Sequence, residues 1–101
     1  MRNIVLLCAQ GMSTSLLVNK MLRVAKEENY ECNINAYSLT TAKETGADAD
    51  IIVLGPQVKF SRKLVEKNCP GKLIIDVDMK SYGTMNGEAV LHQVKKALGD
   101  E

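Results

Sequence analysis

The chain has no tryptophan, and its four aromatics are Tyr30, Tyr37, Phe60 and Tyr82, so it offers no platform on which nucleobases could stack. An excess of either charge is equally missing. Thirteen Lys and Arg stand against twelve Asp and Glu, for a formal net charge of +1. The closest cations on the last predicted helix, Lys95 and Lys96, are too few to form a basic patch. Neither nucleic acid nor an anionic membrane surface is therefore expected as a partner. Long hydrophobic runs are missing too: apolar stretches fall far short of the ~20 residues that span a bilayer, and no direct membrane insertion is expected. The opening run Met1-Arg2-Asn3-Ile4-Val5-Leu6-Leu7-Cys8 is too short for a signal peptide, and Gly11-Met12-Ser13 makes a poor cleavage site. Three cysteines at irregular spacing (Cys8, Cys32, Cys69) give no disulfide framework, so a reducing cytoplasm is the expected compartment. With one histidine and no ligand cluster, neither a metal nor another cofactor is expected.

What is present suits one folded domain over residues 1–101, with 46% of residues hydrophobic and 25% charged. Four short apolar runs, Ile4–Leu7, Cys32–Ala36, Ile51–Leu54 and Leu73–Ile75, read as strands. Between them, Leu17, Met21 and Val24 share a helical face, which predicts a helix from Ser15 to about Glu28. Phe60, Leu64 and Val65 predict a second from about Gln57 to Asn68, and Thr40–Gly46 reads as a short third. Val90, Leu91, Val94, Ala97 and Leu98 form the last apolar stripe, stopped at Gly99. Strands alternating with helices imply an α/β fold: a three-layer sandwich whose four-stranded parallel sheet is covered on both faces. The first and third runs are apolar throughout and suit central strands, while Cys32–Ala36 alternates and suits an edge. Right-handed crossovers then give the order 2-1-3-4. In that order the winding reverses between strands 1 and 3, so a ligand crevice belongs at their C-terminal ends, where the loops begin at Cys8 and Gly55.

The loop after strand 1 reads Cys8-Ala9-Gln10-Gly11-Met12-Ser13-Thr14-Ser15 and contains no charged side chain. Backbone amides of such a turn, with the unpaired amides of the following helix, form an anion cradle. Gly11 permits a close backbone approach, and Ser13, Thr14 and Ser15 can cap the helix or donate to phosphate oxygens. A thiol at a helix N-terminus has its pKa lowered, so Cys8 is the candidate nucleophile and Ala9–Ser15 the candidate phosphate-binding loop. Met12, apolar and flexible, is a candidate docking contact. Gly55, Pro56 and Gln57 are the candidate opposite wall, although Pro near a helix start is as well explained by the turn itself.

The run Cys-x-x-Gly-Met-Ser-Thr-Ser resembles the active-site loop of IIB components of the lactose/chitobiose (cellobiose) class of the sugar phosphotransferase system. The similarity extends through Leu16–Glu28, the run Ala49-Asp50-Ile51-Ile52-Val53-Leu54-Gly55-Pro56-Gln57, and Tyr82-Gly83. The resemblance implies a cytoplasmic phosphoryl carrier. Cys8 would take phosphate from a phosphohistidine on a IIA partner. It would pass it to a sugar, such as a β-linked disaccharide, bound by the membrane-embedded IIC partner.

The small tyrosine phosphatases also place a cysteine-centred phosphate loop after strand 1, and their fold is similar to the one expected here. Their C-x5-R signature needs arginine where this chain has Thr14, and no Arg lies between Arg2 and Arg23. The bidentate grip of a guanidinium on the transferring phosphoryl group is lost, which disfavours a hydrolase. Asp76 and Asp78 are expected to cap loops or helix starts. A thiol protease would need His92, which the helical wheel places away from the apolar stripe and in solvent. Cys32 and Cys69 have no C-x-x-C partner and are expected to be structural. A non-catalytic anion- or protein-binding module is the remaining alternative, and it would not need cysteine at position 8.

Overall fold

The computed structural model of the protein describes residues 2–8 and 12–100, with side chains for all of these except residues 12–14, 57 and 59. Strand β1 (Arg2–Cys8) is apolar on both faces and nearly sealed from solvent from Ile4 onward, as a central strand requires. It pairs in parallel with β2 (Cys32–Ser38) on one side and β3 (Ile51–Leu54) on the other, and β3 pairs in parallel with β4 (Leu73–Asp76). The order is β2-β1-β3-β4, as expected. β3 coincides with its apolar run, while β1, β2 and β4 extend beyond theirs, because backbone pairing continues past the apolar residues. Asn3 shows this at the sheet's start: its N–H donates to Asp50 Oδ2 at 2.7 Å, and its carbonyl accepts from the Asp50 N–H at 2.8 Å.

Alternation along β1 sends Ile4 and Leu6 to one face and Val5 and Leu7 to the other. The first face packs against helix α1 (Met12–Glu27) through Leu17, Val18 and Met21. It also meets the last helix, named α5 below, through Val90, Leu91 and Val94. The second face packs against α2 (Ala42–Thr45), preceded by a 3-10 turn over Leu39–Thr41, and against α3 (Arg62–Asn68), preceded by a 3-10 turn over Pro56–Ser61. Two helical layers thus enclose the sheet, the three-layer arrangement expected. A short helix α4 (Met79–Gly83), not anticipated from the pattern, buries Tyr82 in the first core. Helix α5 (Gly87–Leu98) ends at Gly99, whose φ of 78° is the left-handed cap that glycine adopts without strain.

Two parts of the apolar pattern are misleading. Phe60 and Leu64 are exposed, 83% and 53%, and the residues that α3 and its leading turn bury are Val58, Val65 and Cys69. The cause is the 3-10 winding over Pro56–Ser61, which changes the angle between residues 58, 60 and the helix that follows. Ala97, placed in the last apolar stripe, is likewise exposed.

Opposite the strands' C-terminal ends, a polar clasp ties the start of β1 to the end of α5. Arg2 grips Asp100 through two 2.9 Å hydrogen bonds, and the Tyr30 hydroxyl donates to the same carboxylate at 2.5 Å. The Lys95 ammonium lies 4.9 Å from the Tyr30 ring centroid and donates to Glu28 at 3.0 Å. Arg2 and Tyr30 hold the Asp100 carboxyl down to about 2, with the Arg2 hydrogen bond the largest cause, while hydrogen bonds from His92 first and Lys95 second keep the Glu28 carboxyl below its ordinary value.

Candidate functional site

Cys8 closes β1 at the middle of the sheet, in register with Ser38 of β2, while its neighbour Leu7 is in register with Leu54 of β3. It is buried, and its thiol donates weakly to the Tyr37 carbonyl across 3.8 Å. Its position in the strand alternation matches Ile4 and Leu6, so the sulfur lies on the α1 face of the sheet. Helix α1 begins at Met12 on that same face, so its N-terminal end lies at the sheet's C-terminal edge. The helix therefore starts three residues before the expected Ser15. Apolar periodicity begins only at Leu17 and says nothing of the turn before it. Ser13, Thr14 and Ser15 consequently stand within the first turn of the helix, and Ser15 is exposed. Ala9, Gln10 and Gly11 lie outside the described residues, as do the side chains of Met12, Ser13, Thr14 and Gln57.

Gly55 and Pro56 are buried at the end of β3. The Gly55 N–H donates to the Leu7 carbonyl at 3.2 Å, which carries the ladder one residue past β3 and holds Gly55 beside the end of β1. Its own carbonyl accepts from Val58 at 3.0 Å and opens the 3-10 turn, so Pro56 stands at a turn start as its fixed φ favours. A third wall went unread in the sequence. After β2, the Ser38 hydroxyl accepts from the Thr40 N–H at 3.3 Å, and the Thr41 hydroxyl donates to the Ser38 carbonyl at 2.8 Å. Register with Cys8 makes this hydroxyl cluster the site's β2 flank, and the signal was the run Ser38-Leu39-Thr40-Thr41 directly after a strand.

Other titratable groups are occupied elsewhere. Asp76 receives Arg62 Nη1 at 3.1 Å, and Arg62 Nη2 donates to the Ile74 carbonyl at 2.8 Å. Asp78 caps α4, accepting from the Ser81 N–H at 2.9 Å and from Gln93 at 2.8 Å. The backbone bond from Ser81 is the main reason its carboxyl is held down to about 2, so it is an anion at neutral pH and no proton donor. His92 is not simply solvated as expected. Its Nε2 lies 2.6 Å from Glu28, just past the C-terminal end of α1. At 1.5 Å per residue that end is ~24 Å from the first turn, too far to serve as a base for Cys8. Cys69 is buried and donates to the Ala42 carbonyl at 3.2 Å, and Cys32 packs at the margin of the α1 core. Burial pushes both thiols up. Among the described residues no three His, Cys, Asp or Glu side chains cluster as metal ligands, and no helix is long and apolar enough to cross a membrane.

Comparison with known proteins places this geometry. Residues 3–93 match the family model described as the lactose/cellobiose-specific IIB subunit of the phosphotransferase system. The oligo-beta-mannoside-specific EIIB component of Bacillus subtilis is 38% identical over 95 residues, 92% of each chain. The galactose-specific EIIB component of Lactococcus lactis subsp. cremoris is 40% identical over 95 residues, 87% of this chain and 88% of that one. Among solved structures, the cellobiose-specific IIB component of Borrelia burgdorferi superposes with a TM-score of 0.81 at 37% identity, covering 98% of this chain and 93% of that one. IIB subunits are phosphotransferases that work with IIA and IIC components in sugar uptake. With a family match over nearly its whole length and relatives well above 30% identity, the chain belongs to the lactose/cellobiose-specific IIB subunit family of the phosphotransferase system.

Proposed function

We propose that residues 1–101 work as one cytoplasmic IIB domain whose Cys8 carries the phosphoryl group. The observation that carries this reading is the place of Cys8. It ends the central strand at the point where the chain's winding reverses, on the face where α1 begins. In the first step the Cys8 thiolate attacks the phosphorus of a IIA phosphohistidine. The S–P bond forms as the P–N bond breaks, and the imidazole leaves. In the second step a sugar hydroxyl on IIC attacks the same phosphorus and loses its proton, while the S–P bond breaks and returns the thiolate. The Ala9–Ser15 loop and the first-turn amides of α1 would hold the phosphoryl oxygens in both steps. No acid–base side chain is required near the sulfur, in keeping with the distant His92 and the committed Asp78. The sugar is a β-linked disaccharide. Two of the three relatives compared are named for oligo-β-mannosides or cellobiose, both β-linked.

The test is intact-mass measurement after incubation with phosphoenolpyruvate, the general phosphotransferase proteins and a panel of IIA components. Cys8→Ser, Cys32→Ser and Cys69→Ser are run beside the parent chain. One phosphoryl mass gain in every protein except Cys8→Ser is the expected result. A gain that survives in Cys8→Ser, or none in any chain with an active IIA, defeats the proposal.

A further inference from the structure

The end of β1 has unlike neighbours. On the β3 side stand Gly55 and Pro56, which carry no hydrogen-bonding side chain, and the Gly55 N–H is already given to the Leu7 carbonyl. On the β2 side stands Ser38, in register with Cys8. Residues paired in a parallel ladder point to the same face of the sheet. Ser38 shares the parity of Ile34 and Ala36, which pack in the α1 core, so its hydroxyl belongs to the α1 face beside the Cys8 sulfur. Of these three flanking residues, Ser38 alone has a side chain able to donate.

Two features fit that hydroxyl to an anion on the sulfur. The Tyr37 carbonyl lies 3.8 Å from the Cys8 Sγ and accepts from the thiol. Once the sulfur carries a phosphoryl group, the same carbonyl turns the negative end of its dipole toward an anion, and a donor on that flank offsets it. The second feature is how the Ser38 oxygen is held. It accepts from the Thr40 N–H at 3.3 Å and lies 3.0 Å from the Thr40 hydroxyl, where either oxygen can donate. When Thr40 donates, both lone pairs of Ser38 are filled and its own proton is turned toward another acceptor. The Thr41 hydroxyl fixes the turn by donating to the Ser38 carbonyl at 2.8 Å, and Thr45 donates to the Thr41 carbonyl at 2.9 Å behind it. A charged donor is not at hand: no arginine lies between Arg2 and Arg23, and Arg62 is committed to Asp76 and the Ile74 carbonyl.

We propose that Ser38 is a phosphoryl-binding residue, giving its hydroxyl proton in a hydrogen bond to a phosphoryl oxygen on Cys8. The assignment rests on the carrier reading above. In the unphosphorylated chain Ser38 donates to Thr40. Phosphorylation reverses the pair: Thr40 donates to Ser38, and Ser38 donates to the phosphoryl group, the stronger acceptor. Neither hydroxyl loses its proton, and no bond to phosphorus changes. A neutral donor suits a carrier, because it stabilises the phosphocysteine less than a guanidinium would and leaves the group free to move on.

The test reads the phosphoryl equilibrium between a IIA component and this chain. The parent, Ser38→Ala, Ser38→Thr and Thr40→Val are each mixed with an active phosphorylated IIA component, and intact mass gives the phosphorylated fraction. Phosphorus NMR then follows the second ionisation of each phosphocysteine with pH. Loss of a hydrogen bond to a charged oxygen should shift the equilibrium roughly tenfold away from phospho-Cys8 in Ser38→Ala. That bond favours the dianion, so its loss should also raise the second pKa of the phosphocysteine, which a merely structural role for the turn would not do. Ser38→Thr keeps the hydroxyl and should match the parent. Thr40→Val keeps the backbone donor and should move both readouts in the same direction by less, which decides the matter if circular dichroism finds Ser38→Ala unfolded. Unchanged equilibrium and titration in the folded Ser38→Ala chain overturn the assignment, and so does a Ser38→Thr chain that loses as much. A parent chain that no active IIA component phosphorylates on Cys8 defeats the carrier reading itself, and the assignment with it.

Discussion

Helix α5 begins where it nearly touches α1, and Gly87 is the residue that makes this approach possible. A Cβ placed on Gly87 would lie 2.8 Å from the Lys20 carbonyl carbon, 2.8 Å from its Cβ and 2.8 Å from the Met21 nitrogen. Ordinary contact needs about 3.5–4 Å, and two of the three atoms are backbone that no rotamer change can move aside. Gly87→Ala must therefore push α1 and α5 apart by several tenths of an ångström, opening the core at Met21, Val90 and Leu91. Overpacking of this kind costs about 1–3 kcal/mol, against which alanine gains about 0.4–1 kcal/mol through the unfolded chain. The expected net loss is about 1–2 kcal/mol, which for a domain of this size lowers Tm by roughly 4–15 °C. Gly83→Ala is the control: nothing lies within 4 Å of its added Cβ, so the unfolded-chain gain should raise Tm slightly. Differential scanning calorimetry of the two variants beside the parent decides the matter. If Gly87→Ala melts at or above the parent temperature, the close approach of α1 and α5 is not what the site requires, and the packing argument fails.

Further outcomes follow from single contacts. Asn86 caps α5 by accepting from the Ala89 N–H at 3.1 Å, so Asn86→Ala should cost about 1 kcal/mol in urea unfolding, with an unchanged m-value. Asp78 and Asp100 titrate near 2 in the folded protein against an ordinary 3.8. Because their folded pKa values are depressed, the stability they add is full above about pH 4 and is lost as pH falls toward 2; urea midpoints measured over that range should fall less steeply in the double variant Asp78→Asn with Asp100→Asn. Burial raises the Cys32 and Cys69 thiols, and Cys69 is held against Ala42. Alkylation of Cys69 followed by peptide mass should therefore be at least roughly tenfold slower in the native chain than in urea at the same pH, and equal rates would show that the α2–α3 side of the core opens freely.

The order and type of the strands were legible because each runs as a short apolar stretch whose pattern reports burial. Ile4–Leu7 and Ile51–Leu54 are apolar on both faces and became central, and Cys32–Ala36 alternates and became an edge. Handedness of the crossovers then left one order for four parallel strands. The position of Cys8 at the switch point followed from that order, and the motif around it pointed to the family. All of this is local pattern or topology, which a linear chain displays openly.

What only the tertiary structure decided depends on distances between segments far apart in the chain. No periodicity reveals that α1 starts at Met12, because the regular apolar spacing of its sequence begins only at Leu17. The exposure of Phe60 and Leu64 depends on a 3-10 turn whose winding differs from 3.6 residues per turn, so the helical wheel misassigned them. His92 found Glu28 and Asp78 found Gln93 through the approach of α5 to other elements, and that approach rests on Gly87 meeting the α1 backbone. The hydroxyl flank at Ser38 became part of the site only through its register with Cys8. Sequence pattern carries the period and polarity of each element by itself. The angle and distance at which elements meet are set by side-chain volumes in contact, and those exist only once the chain has folded.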